Sequence, residues 1–210
     1  MKLVSDTVKA FARNEWIYYY YTKIRCNLQK YMDTNFEATL ILDNGLWLGG
    51  ISSASNREAL HEHNIETIIS VVLGSVANFP YDFNYERADL RDTEDEDIIT
   101  EFYRIVPIIH EELSKGRSTL VNCIWGKSRS ASFICAYLIR YYNMTADESI
   151  QFVKSKRSQV SPNPNYIRQL RQYEGEMRLE REIEERKILE ERKKFEEKSA
   201  AELREKISLV

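Results

Sequence analysis

The sequence predicts an α/β domain with a central mixed, mostly parallel sheet flanked by helices, followed by a long charged C-terminal helix. Three observations lead there. Between residues 35 and 174, short β-branched runs alternate with segments of helical spacing, an order that lays helices on the faces of a parallel sheet. The run "ETIISVVLG" is short and rich in β-branched residues, as suits a buried strand, and "STLVN" reads as a second strand. From about Gly175 the texture changes to "EMRLEREIEERKILEERKKFEEKSAAELREKI", with glutamate four residues ahead of lysine or arginine at Glu182–Arg186, Glu190–Lys194 and Glu202–Lys206.

The elements follow in order. Residues 1–34 are rich in aromatics ("EWIYYYYTKIRCNLQKYM") and read as a helix or strand packed onto the main domain, with a tyrosine-phosphorylated docking segment as the alternative. "ATLILDNGLWLGG" is two strands around an Asp43-Asn44-Gly45 turn, and "REALHEHNI" has helical spacing. Asp97 to Leu113 is helical with a kink expected at Pro107. "STLVN" ends at Asn122, and an apolar helix covers Ala131 to Tyr142. Thr145-Ala-Asp-Glu148 is a capping box, and Asn163-Pro164 caps a last packed helix with proline in its first turn. In the tail, Leu179, Ile183, Ile188, Phe195, Leu203 and Ile207 keep no strict heptad, which favours a long exposed helix over a coiled coil. Three regions result: 1–34 an N-terminal extension, 35–174 the catalytic domain and 175–210 a helical tail.

Lys+Arg 30 against Asp+Glu 33 leaves no global basic field, so neither nucleic acid nor an anionic membrane is the expected partner. No segment is long and apolar enough for membrane insertion, and the N-terminus lacks the apolar core of a signal peptide. Three cysteines at unrelated spacings suit a reducing compartment, with cytoplasmic and also nuclear residence compatible. Cys26 and Cys135 lack an electropositive motif and read as core residues.

Chemistry concentrates in "VNCIWGKSRSAS", Val121 to Ser132. A strand ending at Asn122, a loop and a helix opening near Arg129 gather backbone N–H groups at a helix N-terminus, where they can cradle a tetrahedral dianion. The cradle comprises Ile124, Trp125, Gly126, Lys127, Ser128 and Arg129, with Gly126 allowing the backbone to close around the ligand. Arg129 can fork two hydrogen bonds to phosphate oxygens. The same donors lower the Cys123 pKa and place its thiolate for in-line attack. The Ser130 hydroxyl can support the sulfur as it leaves. Trp125 reads as packing beneath the loop, with lining of the pocket mouth as the alternative.

This string resembles the signature of the cysteine-dependent protein phosphatases, and "GKSRSAS" looks most like their dual-specificity branch. "LWLGGISSASNREALHEHNIETIISVV" resembles that family's opening strands and first helix, and "SPNPNYIRQLRQYE" its closing helix. The resemblance implies a phosphatase acting on phosphotyrosine and phosphoserine or phosphothreonine of phosphoprotein substrates through a phosphocysteine, with no metal and no cofactor. It also implies a general acid on a loop after a strand. "YERADLRDTEDEDIITEF" fits, with Asp92 as the acid, Asp89 as its competitor, and Asp95, Glu96 and Asp97 as caps of the next helix.

The chain departs from the family where Asn122 replaces the histidine before the cysteine, which predicts a less depressed thiol pKa and slower turnover. Two other functions are weighed. A phosphate-binding pseudoenzyme would be expected to lose the cysteine or arginine, and both are present. A phosphoinositide or RNA 5′-phosphatase is suggested by Lys127 alone, and the acidic run beside Asp92 disfavours it. His61, His63 and His110 lack metal-ligand spacing. The C-terminal helix offers a surface for a protein partner.

Overall fold

The computed structural model describes residues 15–32 and 36–208, with side chains at 16–24, 27–28 and 36–197. Helix α1 (Glu15–Met32) precedes a hairpin of β1 (Thr39–Leu42) and β2 (Leu46–Gly49). A 3-10 turn at Ser53–Ser55, α2 (Arg57–Glu62), β3 (Ile65–Val71), β4 (Asn84–Ala88), α3 (Ile99–Ser114) and β5 (Ser118–Asn122) follow. The chain ends with α4 (Arg129–Tyr142), α5 (Ala146–Lys156) and α6 (Pro164–Ser208). Among the described residues the strands form a five-stranded sheet, β1-β2-β5-β3-β4. Only β1 runs antiparallel to its neighbour, so the mixed, mostly parallel sheet is as expected.

Strand β5 lies at the centre, pairing Val121 with Leu48 on one side and Ile69 on the other. Its last four residues, Thr119 to Asn122, are buried because both faces are covered. Ladders on both sides fix where the strand ends, and therefore where Cys123 begins. Ligand sites of parallel sheets form at these carboxyl ends. Helix α4, buried from Arg129 through Ile139, anchors the other end of the loop within the main apolar core.

Local signals behaved as the residues dictate. Thr145 and Glu148 complete the capping box, the Thr145 Oγ1 accepting from the Glu148 N–H at 3.2 Å. Asn163 Oδ1 accepts from the Tyr166 N–H at 2.9 Å and starts α6. Helix α3 runs unbroken through Pro107. Helix α6 is also continuous through Gly175, whose single-residue penalty of about 1 kcal/mol a helix of 45 residues absorbs. Tyr166, Leu170, Tyr173 and Met177 are buried in α6, whereas Leu179, Ile183, Ile188 and Phe195 are exposed. Helix α1 is seated mainly by Tyr18 and Thr22, while Trp16, Tyr20 and Tyr21 remain exposed. The segment is thus a helix packed onto the domain, as expected, with much of its aromatic surface outside the core. The Cys26 side chain, expected in the core, lies outside the described residues.

Candidate active site

The loop from Cys123 to Ser128 is held by its carbonyls. Ile124 O accepts from the Ile51 N–H at 3.1 Å and Lys127 O from the Ser161 N–H at 2.9 Å. Between them, Arg157 donates Nη2 to Trp125 O at 3.4 Å and Nε to Gly126 O at 3.2 Å. In a trans peptide the C=O and the following N–H point in opposite directions. Four consecutive carbonyls tied to the protein body therefore turn the following N–H groups towards the concave side, the arrangement that binds anions. Arg157 itself is buried and also donates Nη1 to Glu37 O at 2.5 Å, which fastens the loop to the chain entering β1.

Gly126 sits at φ +65, and a Cβ there would lie 2.6 Å from Gly49 O. The residue is glycine because the loop passes directly over the end of β2, in a backbone conformation that side chains disfavour. The close neighbour that requires glycine here is the β2 backbone, a constraint the sequence did not reveal. Trp125 is 41% exposed, not packed beneath the loop. Arg157 occupies the underside through its bonds to the Trp125 and Gly126 carbonyls, and the indole turns outward.

Cys123 is buried beside Arg129, and the Ser130 hydroxyl donates to its sulfur at 3.2 Å. Burial alone would raise the thiol pKa, but the Arg129 charge and the Ser130 hydroxyl and N–H outweigh it, and the net direction is down. Cys135 has no such neighbours; burial pushes it up to about 12 against a hydrogen bond from Ser149. Arg129 donates Nη1 to Leu90 O at 3.0 Å. Its buried Nε has no hydrogen-bond partner, and the nearest carboxylate oxygen, Asp92 Oδ2, is 3.7 Å away. A buried guanidinium edge without an acceptor is costly unless a ligand supplies one.

Asp92 is oriented over this edge. Its Oδ1 accepts from Ser128 Oγ and from Asn163 Nδ2, both at 2.8 Å. Asp89 points elsewhere: its Oδ1 accepts from the Gly74 N–H at 2.9 Å, and it lines a separate cavity of about 610 Å3 with Trp16, Lys23 and Leu73. Of the acidic residues expected to cap α3, Asp97 does so, accepting from the Ile99 N–H at 3.1 Å. Glu96 instead pairs with Arg91 at 2.6 Å, and Gln169 Oε1 accepts from the N–H groups of Ile98 and Ile99, the latter shared with Asp97.

Asn122 is fully buried, its Oδ1 accepting from Ser70 Oγ at 2.9 Å, while Nδ2 has no partner. The amide thus braces the strand end, and the donor expected to tune the thiolate makes no bond to it. Ile124 packs with Val72 and Cys123, and Lys127 is exposed. His63 stacks on Phe36 at 4.4 Å and His110 on Tyr141 at 3.8 Å. Sequence reasoning therefore located the residues that gather here, but it missed Arg157 and Asn163 as supports. For Asn163 a signal was present in the cap motif, whereas Arg157 lies in an unremarkable helix end.

Residues 46–176 match the family model "Dual specificity phosphatase, catalytic domain". The chain is 37% identical over 149 residues to "Dual specificity protein phosphatase 1" of Arabidopsis thaliana, covering 71% of this chain and 74% of that one. It is 30% identical over 148 residues to "Dual specificity protein phosphatase 1B" of the same plant, covering 70% and 88%. Among solved structures it resembles a human tyrosine phosphatase-like serine/threonine/tyrosine-interacting protein (TM-score 0.64, 32% identity, 67% of this chain and 97% of that chain). A mouse putative dual specificity phosphatase complexed with zinc tungstate is similar too (TM-score 0.66, 26% identity, 70% and 91%). The chain belongs to the dual specificity phosphatase family and is a cysteine-dependent protein phosphatase.

Proposed function

We propose that this protein removes phosphate from phosphotyrosine and phosphoserine or phosphothreonine of phosphoproteins, with Cys123 as nucleophile, Arg129 and the N–H groups of Ile124 to Arg129 as the phosphate cradle, and Asp92 as general acid. Cys123 Sγ attacks phosphorus in line; the P–S bond forms as the P–O bond breaks, and Asp92 passes its proton to the departing oxygen. Asp92, now a carboxylate, takes a proton from water, which attacks the phosphocysteine. Phosphate leaves, and the sulfur departs as a thiolate supported by Ser130 Oγ at 3.2 Å. The observation that carries this reading is the buried Arg129 Nε without a hydrogen-bond acceptor, 3.7 Å from Asp92 Oδ2.

The choice of Asp92 over Asp89 rests on Oδ2 lying 3.7 Å from that guanidinium, while Asp89 is tied to Gly74. The test is Asp92→Asn against two esters. For phenyl phosphate, whose leaving oxygen needs a proton, kcat/KM is expected to fall about 100- to 1,000-fold. For dinitrophenyl phosphate, whose phenolate leaves unaided, it is expected to change little. Equal behaviour on both esters, with the selective loss appearing in Asp89→Asn, would move the role to Asp89.

No described helix is long and apolar enough to cross a membrane. A reducing cytoplasmic setting, with the nucleus accessible, suits a chain whose nucleophile is a thiolate. We retain the division into 1–34, 35–174 and 175–210, noting that α6 still touches the body at Glu180, paired with Arg140 at 3.2 Å. The exposed apolar positions beyond it are our proposed contact for a protein partner.

A further inference from the structure

We infer that Tyr18, on helix α1 outside the matched phosphatase segment, positions the general acid. The inference rests on the reading of Asp92 as that acid. Two tyrosines grip one peptide group. The Asp92 N–H donates to the Tyr18 hydroxyl at 2.7 Å, across 74 residues of sequence. The carbonyl of the same peptide, Arg91 O, accepts from the Tyr166 hydroxyl. A peptide is planar, so fixing its C=O and its N–H fixes the plane from which the Asp92 side chain departs.

The surroundings explain why this clamp is needed. Asp92 sits in an irregular stretch between β4 and α3, with no ladder to define it. The side chain is held from one flank only, through Oδ1. Oδ2, the oxygen facing Arg129, depends on the backbone for its aim. Tyr18 is itself held. It is buried, Thr22 one turn later is buried, and the neighbouring Tyr19 ring lies against Gly74. Gly74 has φ +70 and its N–H is bonded to Asp89, so any Cβ there would meet the Tyr19 ring. Helix α1 thereby reaches both the turn after β3 and the acid loop. The contact that Tyr18 makes here is with the Asp92 N–H, so it acts through Asp92.

A positioning role has a signature that a structural role lacks. In Tyr18→Phe the ring and its packing stay and only the acceptor of the Asp92 N–H is lost. The kcat/KM for phenyl phosphate is expected to fall about two- to tenfold, the scale of one hydrogen bond. That for dinitrophenyl phosphate, which needs no acid, is expected to hold. Tyr166→Phe, which releases the same peptide from the other side, should give the same selective loss. Equal losses on both esters in Tyr18→Phe would reduce Tyr18 to a packing residue and overturn the inference. A gain on both would overturn it too, by making the tyrosine an obstruction. Selective loss in Asp92→Asn with none in Tyr18→Phe removes the inference and leaves the acid assignment. Absence of selectivity in Asp92→Asn removes both.

Discussion

Replacing Cys123 by serine is expected to lower kcat for aryl phosphates by at least about 10,000-fold while tungstate binding survives. The loop can hold a thiol in its ionised form because burial is outweighed by Arg129 and Ser130. It cannot do the same for an alcohol, whose ionisation lies many units higher. The proposed binding surface, however, is made of backbone N–H groups and Arg129, none of which the substitution touches. Titration of tungstate by calorimetry and assay of turnover on the same preparation separate the two. Turnover within about a hundredfold of the parent would mean that another group attacks phosphorus.

Arg129→Lys is expected to cost about 100- to 1,000-fold in kcat/KM, the loss seen when a donor aimed at transition-state charge is removed. The residue is 2% exposed and divides its donors, Nη1 going to Leu90 O and the Nε edge remaining for the ligand. A lysine ammonium is a point charge that cannot serve a fixed carbonyl and two phosphate oxygens in one plane. It would also leave the Cys123 thiolate with weaker support, so the same variant should raise the cysteine pKa. Kinetics combined with the pH dependence of alkylation reads both effects. A loss below tenfold with an unmoved thiol would contradict the assigned role.

Much of this site was legible because its determinants are local. Cys123, Gly126, Arg129 and Ser130 fall within one strand-loop-helix unit, and strand and helix patterns frame it without help from distant residues. The caps at Thr145 and Asn163 are equally local. What escaped was set by long-range contact. Nothing near Arg157 in sequence marks it as the support of carbonyls 31 and 32 residues away. The outward turn of Trp125 follows from that arginine and could not precede it. The sequence favours Asp92 over Asp89 only by its place in the loop. The different settings of the two carboxylates, Asp89 on the Gly74 N–H and Asp92 on Ser128, Asn163 and the Arg129 side, come from long-range contact. In α6 the compositional change at Gly175 marks where burial fades, not where the helix ends, since backbone hydrogen bonding continues regardless of which face is solvated.

The pH dependence of Cys123 carboxymethylation by iodoacetate, followed peptide by peptide, probes the ionised nucleophile itself. With the thiol pKa held below its ordinary value, the Cys123 peptide should label at lower pH than an ordinary thiol and be protected by inorganic phosphate. The Cys135 peptide, pushed up to about 12, should remain unlabelled in the same sample. A Cys123 midpoint at or above that of an ordinary exposed thiol, or labelling indifferent to phosphate, would contradict a thiolate seated beneath a phosphate cradle.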